Sequence, residues 1–252
     1  MNRKIFSKTI LIILLAFFAA GGACYEIPKT VSSEKMVAAD VFTFYRVEEY
    51  TGDDGKCSRR ITMRFSGDNK TYLLKPPARA TYNGADAGGE FGCETERAEF
   101  VLTDDQGGTK RDVYETKKAD LDFPAEIERA RDLRVPVQSD DKYDYEFAGR
   151  IEAKNGDAAI AQLKILSLKN EAELTERLQN PDIPKDSAYF LRGEKLLIIP
   201  ATILSSLPSG EATINVEVAQ KIFKAKSKTP ESSLESAAFA YEYSFEAKSK
   251  LK

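Results

Sequence analysis

The sequence predicts an all-β chain: two β-sandwich domains with one short inserted helix, preceded by an N-terminal secretory segment. Three observations carry this reading. From Val41 onward, short apolar alternations are separated at regular spacing by turns rich in Gly, Asn and Asp. The pattern breaks at Asp122-Phe123-Pro124. The first residues form an apolar run too short to cross a bilayer.

That run comes first. Arg3, Lys4 and Lys8 precede an unbroken apolar stretch of 11 residues, Ile10 to Ala20, and Gly21-Gly22-Ala23-Cys24 follows. A basic start, a short apolar centre and small residues at the exit describe a signal peptide over residues 1–23. A spanning helix needs roughly 20 apolar residues. Gly22-Ala23-Cys24 resembles the lipobox of bacterial lipoproteins, in which the cysteine is lipidated and becomes the mature N-terminus. The resemblance implies lipidation of Cys24, with Gly21 standing where that family usually has Leu. Ordinary cleavage after Ala23 is the alternative, and its product is secreted and soluble. Removing residues 1–23 takes away three basic residues and no acidic one, so the formal charge moves from −3 to −6.

Residues 24–40 read as a tether. The first sandwich is expected over 41–124. Val41 to Tyr50 is strand-like, and Arg59 to Ser66 places Ile61, Met63 and Phe65 on one face. Thr71 to Leu74 follows. Ala98 to Thr103 and Lys110 to Lys117 flank the turn Asp104-Asp105-Gln106-Gly107-Gly108. The second sandwich is expected over 125–252. Val135-Pro136-Val137 reads as an edge strand, because proline has no N–H for a central ladder. Tyr143, Tyr145, Phe147 and Ile151 alternate toward the turn Asn155-Gly156, and Ala158 to Leu168 returns. Asn170 to Leu178 is the one helix, ended by Asn180-Pro181. Leu196 to Ile199 and Ala212 to Ala219 are strands with a helical turn, Leu204 to Leu207, between them. Ala237 to Ala247 closes the chain, with Phe239, Tyr241, Tyr243 and Phe245 on one face.

The run from Leu191 to Pro200, followed by Leu204 to Leu207 and Pro208 to Val216, resembles the late strands of Ig-like domains in bacterial surface lipoproteins. Arg60 to Phe65, Ala80 to Gly84 and Glu99 to Asp105 are similar to the domain that precedes them in such proteins. The resemblance covers most of residues 41–252. It implies two Ig-like sandwiches hung from a cell-envelope lipid anchor, and it brings no catalytic residues with it.

Composition removes whole classes of chemistry. The chain has 42% hydrophobic and 31% charged residues with 15 Gly and 10 Pro, the profile of a folded chain. It has no histidine, which excludes Ser-His-Asp and Cys-His nucleophiles, His-ligated zinc and the HExxH helix. No basic block stands out, so nucleic acid is not an expected partner. With Cys24 lipidated, Cys57 and Cys93 remain. In an exported chain they read as a disulfide, with two buried thiols as the alternative. Two cysteines 36 apart lack the close-spaced ligand pairs of zinc sites, so no metal ligand is assigned.

Asp53-Asp54, Asp104-Asp105 and Asp140-Asp141 are adjacent carboxylates. They read as turn residues rather than the separated acid and base of a glycosidase. Asp53, Asp54, Asp104, Asp105 and Gln106 also offer loop oxygens for calcium, without the EF-hand spacing. The aromatic stripe from Phe239 to Phe245 reads as core rather than a sugar-stacking platform. The expected function is therefore non-enzymatic binding, adhesion or scaffolding at the bacterial cell envelope, probing a protein or glycan ligand, with no cofactor. The anchor points to the outer membrane. An envelope carbohydrate hydrolase using Asp/Glu and a subunit of a surface assembly are the alternatives.

Overall fold

The computed structural model describes residues 29–252 other than 53, 68, 69, 88, 90, 180–186, 230 and 231. Residues 1–23 and Cys24 lie outside them, so the signal peptide and the lipidation site are outside the described residues. The chain is mostly strand. In order it forms β1 (Lys29–Ser32), β2 (Phe42–Thr51), β3 (Cys57–Gly67), β4 (Lys70–Leu73), β5 (Arg79–Tyr82), β6 (Ala85–Asp86), β7 (Phe91–Gly92), β8 (Arg97–Thr103) and β9 (Thr109–Glu115). Then come β10 (Asp120–Leu121), β11 (Glu126–Ile127), β12 (Leu133–Gln138), β13 (Asp144–Asn155), β14 (Asp157–Leu168), α1 (Glu171–Leu178), β15 (Ser187–Leu191) and β16 (Leu196–Ile199). A short helix α2 (Ala201–Ser205) leads to the hairpin of β17 (Gly210–Thr229) and β18 (Ser232–Leu251).

The strands do not divide at residue 124. One 14-stranded sheet runs β1-β4-β3-β2-β18-β17-β13-β14-β15-β16-β12-β10, with β11 added beside β18 and β7 beside β3, and a four-stranded sheet runs β6-β5-β8-β9. The expected pair of sandwiches with separate interiors is corrected by the last hairpin. β18 pairs in parallel with β2 over Ala237 to Glu242, while β17 pairs antiparallel with β13 over Glu211 to Lys221. The C-terminal strands therefore supply the neighbour that β2 lacks within its own half. Hairpin spacing reports local pairing only, and this parallel pairing joins residues almost 200 apart. The core follows the sheet: one cluster contains Tyr45, Phe100 and Tyr114 together with Ile151, Leu197, Val216 and Phe239.

The tether expected over 24–40 is also corrected from residue 29 on. β1 pairs in parallel with β4, and Met36, Ala38 and Val41 pack with Phe65, Ala78 and Leu102. Met36 and Ala38 are apolar side chains whose burial offsets the cost of ordering this segment.

Other expectations hold. β2 alternates strictly, with Thr43, Tyr45, Val47 and Glu49 buried. The Asn155-Gly156 turn closes β13 on β14, with Asn155 opposite Asp157 and Gly156 at φ 86°, a conformation that favours glycine. β14 changes partner along its length. It pairs with β13 up to Lys164 and with β15 from there to Leu168. The sheet thereby folds back, and Phe190 of β15 meets Phe147 of β13 at 4.6 Å. β15 is buried on both faces, because Tyr189 and Leu191 pack with Leu174 of α1 while Ala188 and Phe190 join the main core. The α1 helix starts where the sequence places it, with the Asn170 side chain accepting from the Glu173 N–H at 3.0 Å.

Candidate functional site

Cys57 and Cys93 form a disulfide with a Cα–Cα distance of 5.7 Å. The ladder explains it. Ser58 faces Gly92 and Arg59 faces Phe91, so the register carried one step further sets Cys57 opposite Cys93.

The loop carboxylates do not converge. Asp104 accepts three backbone N–H groups: Ala38 at 3.0 Å, Gln106 at 3.0 Å and Gly108 at 2.7 Å. The Ala38 bond leads in holding its carboxyl below the ordinary value, against the opposing effect of burial. Oxygens committed to N–H donors clamp the β8–β9 turn onto residue 38 rather than offering themselves to calcium. Asp54 accepts from the Lys56 N–H at 3.1 Å, and Asp140 from the Lys142 N–H at 2.9 Å. Asp141 pairs with Lys195 at 2.7 Å. Asp53 lies outside the described residues. The aromatic stripe is core: Phe239, Tyr241 and Tyr243 are buried.

Two charged groupings were not singled out from the sequence. The first is inside. Glu49 sits in register with inward-facing Tyr45 and Val47, and Arg59 lies directly opposite it on β3. The side chains of Glu49 and Arg59 are 6% and 2% exposed, and Arg59 Nη2 reaches Glu49 Oε2 at 3.4 Å. The Tyr241 hydroxyl donates to the same oxygen at 2.6 Å. Lys118, whose side chain is half exposed, pairs with Oε1. Arg59 Nη1 also donates to the Thr95 carbonyl at 2.7 Å and to the Tyr82 hydroxyl at 3.3 Å, and its guanidinium lies 5.5 Å from the Tyr241 ring centre. Burial pushes the Glu49 carboxyl up. The hydrogen bonds from Lys118 and Tyr241, with the charges of Lys118 and Arg59, outweigh it and hold the group below its ordinary value. Burial likewise raises the Tyr241 phenol, helped by Glu49. A charged residue in phase with an apolar alternation was the available signal, at Glu49 on β2 and at Arg59 beside Ile61, Met63 and Phe65 on β3.

The second grouping lies on the opposite face of the central strands, where Arg46 and Glu48 of β2, Glu242 of β18, Glu217 of β17 and Arg150 of β13 alternate with the buried set. Arg46 Nη2 pairs with Glu242 Oε2 at 2.5 Å, and Lys221 with Glu146 at 2.5 Å. Burial raises the Glu217 carboxyl; Arg150 opposes this, and the charges of Glu242 and Glu48 add to it. Ala238 and Ala240 lie among these charges and are themselves buried. The result is a half-buried, cross-braced charged surface in fixed register.

Comparison of the chain with protein-family models, curated proteins and solved structures finds no match.

Proposed function

We propose that the protein is an exported, lipid-anchored cell-envelope protein with a non-enzymatic binding, adhesion or scaffolding role, recognising a protein or glycan through the charged outer face of β2, β18, β17 and β13. The carrying observation is that face. Arg46, Glu48, Arg150, Glu217, Lys221 and Glu242 project from four adjacent strands among small alanines, with Arg46 paired to Glu242, Glu48 to Arg60 and Lys221 to Glu146. Side chains already held in place lose little freedom when a ligand binds. Asp54, Asp104 and Asp140, each tied into its own turn, argue against paired catalytic carboxylates at those three positions. The envelope location and the anchor at Cys24 rest on the N-terminal sequence. The Ig-like reading likewise rests on the sequence resemblance from Leu191 to Val216.

One observation favours a second reading, an envelope carbohydrate hydrolase: Glu217 is raised beside Glu242, which is paired with Arg46. The test is co-sedimentation of the soluble mature chain with isolated cell walls and outer-membrane vesicles, with reducing ends assayed in the same tubes. Saturable binding that Arg46→Glu weakens, without release of reducing ends, is the expected result. Release of reducing ends that Glu217→Gln abolishes supports the hydrolase instead. Absence of both binding and release overturns the role proposed for this face. Mass spectrometry of the mature N-terminus tests the anchor separately: acyl mass on Cys24 is expected, and an unmodified cysteine contradicts it.

A further inference from the structure

The disulfide and the buried carboxylate belong to one site. Glu49, Cys57 and Cys93 each bring a ligand atom to within 4.8 Å of the others. The strand register brings this about. Glu49 pairs with Arg59, Cys57 lies two residues before Arg59 on the same face of β3, and Cys93 stands opposite Cys57. Three donors thus converge from β2, the start of β3 and the residue after β7, although they are distributed over 45 positions of the sequence.

We propose that the reduced form of this protein binds one zinc ion through the Cys57 and Cys93 thiolates and the Glu49 carboxylate, so that the metal replaces the disulfide as the link between β3 and β7. A dithiol reductant supplies two electrons and two protons. The S–S bond breaks, two thiols form, and the reductant leaves as its own disulfide. Zinc then takes the place of the two thiol protons, which go to solvent.

Geometry allows the exchange. Tetrahedral zinc with sulfur at about 2.3 Å and oxygen at about 2.0 Å needs its ligand atoms about 3.5–3.8 Å apart. The carboxylate oxygen already lies within 4.8 Å of both sulfurs, and breaking the S–S bond lets the sulfurs move apart to the tetrahedral spacing, with a water as the fourth ligand. Charge allows it too. Before binding, Glu49 faces Arg59 and Lys118; afterwards, two thiolates balance the added dication, and the local sum is unchanged. Lys118 is the partner able to leave, since its side chain is 48% exposed. Arg59 and Tyr241 stay on Oε2 as the outer partners that hold the carboxylate in place. Two soft thiolates with one carboxylate suit zinc better than calcium or magnesium.

The experiment titrates the mature chain with cobalt(II), under anaerobic conditions after phosphine reduction, and follows the thiolate charge-transfer and visible bands of tetrahedral cobalt. Zinc back-titration gives the stoichiometry. One ion per reduced chain and none per oxidised chain is expected. Glu49→Gln is expected to weaken binding by roughly tenfold or more, and Lys118→Ala to tighten it roughly threefold, the size of a half-exposed ion pair. Zinc is also expected to restore part of the thermal stability lost on reduction. No stoichiometric metal, equal affinity in Glu49→Gln and the wild type, or a reduced chain that zinc does not restabilise would each overturn the site. Lys118→Ala keeps the test decisive where Glu49→Gln fails to fold. None of these outcomes depends on the ligand proposed for the outer sheet face.

Discussion

Around β2, β8, β9 and the middle of β18 the interior is aromatic and ionic, whereas around β13, β15, β16 and the start of β17 it is mostly aliphatic. At the first end Tyr45 stacks on Phe100 at 4.0 Å and Tyr114 on Phe239 at 4.3 Å, beside the buried Glu49 and Arg59. At the second, Ile151, Leu197, Ile199, Ile214 and Val216 fill the space, with Phe147 and Phe190 as the paired rings. Both ends exclude water and both bury polar groups, Ser187 and Tyr145 among them at the second, but the buried charge pair of Glu49 and Arg59 lies at the first. The Tyr45 hydroxyl donates to Asp112 at 3.1 Å, and the Tyr243 hydroxyl accepts from the Ala119 N–H at 2.6 Å. The aliphatic end depends mainly on volume, while the aromatic end depends on volume, geometry and protonation together.

The difference is open to direct attack. Phe239→Ala removes a ring that contacts both Tyr114 and Phe100, and it should cost about 3–5 kcal/mol in urea denaturation. Leu197→Ala at the aliphatic end should cost about 2–5 kcal/mol by the same mechanism, with no change in the pH dependence of stability. Glu49→Gln leaves Arg59 buried without its counter-charge and should cost about 3 kcal/mol near neutral pH.

Protonation separates the ends more sharply. The Glu49 carboxyl lies below its ordinary value of 4.5 in the folded state, so its contribution is fully present above pH 4.5. It is lost as the pH falls further, through the lowered folded value. Acid titration of stability should therefore show a loss below pH 4.5 that is smaller in Glu49→Gln. An identical acid profile in the variant would mean that Glu49 carries no linkage.

The disulfide spans 36 residues and should contribute roughly 3–4 kcal/mol by restricting the unfolded chain, read as the shift on reduction in metal-free buffer. The smallest expected effect is at the helix that covers the second face of β15. Asn170→Ala removes the cap on Glu173 and should cost about 1 kcal/mol.

Much of the local structure was legible. The Asn155-Gly156 hairpin, the α1 helix, β16 and the inward row Ile214, Val216 and Val218 follow from alternation, turn chemistry and capping, all of which act over a few residues. The disulfide was expected because setting Cys24 aside as a lipidation site leaves two of the three cysteines, Cys57 and Cys93, to pair. The assembly was not legible. Pro124 does end a run of strands, but it does not end the sheet, because the partner of β2 lies near residue 240 and no local signal encodes a parallel pairing at that distance. The interior site was hidden for a related reason. Glu49 reads as one charged residue among many until β3 and β18 place Arg59 and Tyr241 on its two sides.

The central structural claim is that the last hairpin joins both halves into one sheet and one core. Differential scanning calorimetry of the disulfide-intact mature chain, repeated with Phe239→Ala and Leu197→Ala, tests it most directly. A single transition whose van't Hoff and calorimetric enthalpies agree, and which either substitution lowers as a whole, is the expected result. Two separable transitions, each moved by only one of the substitutions, would contradict it.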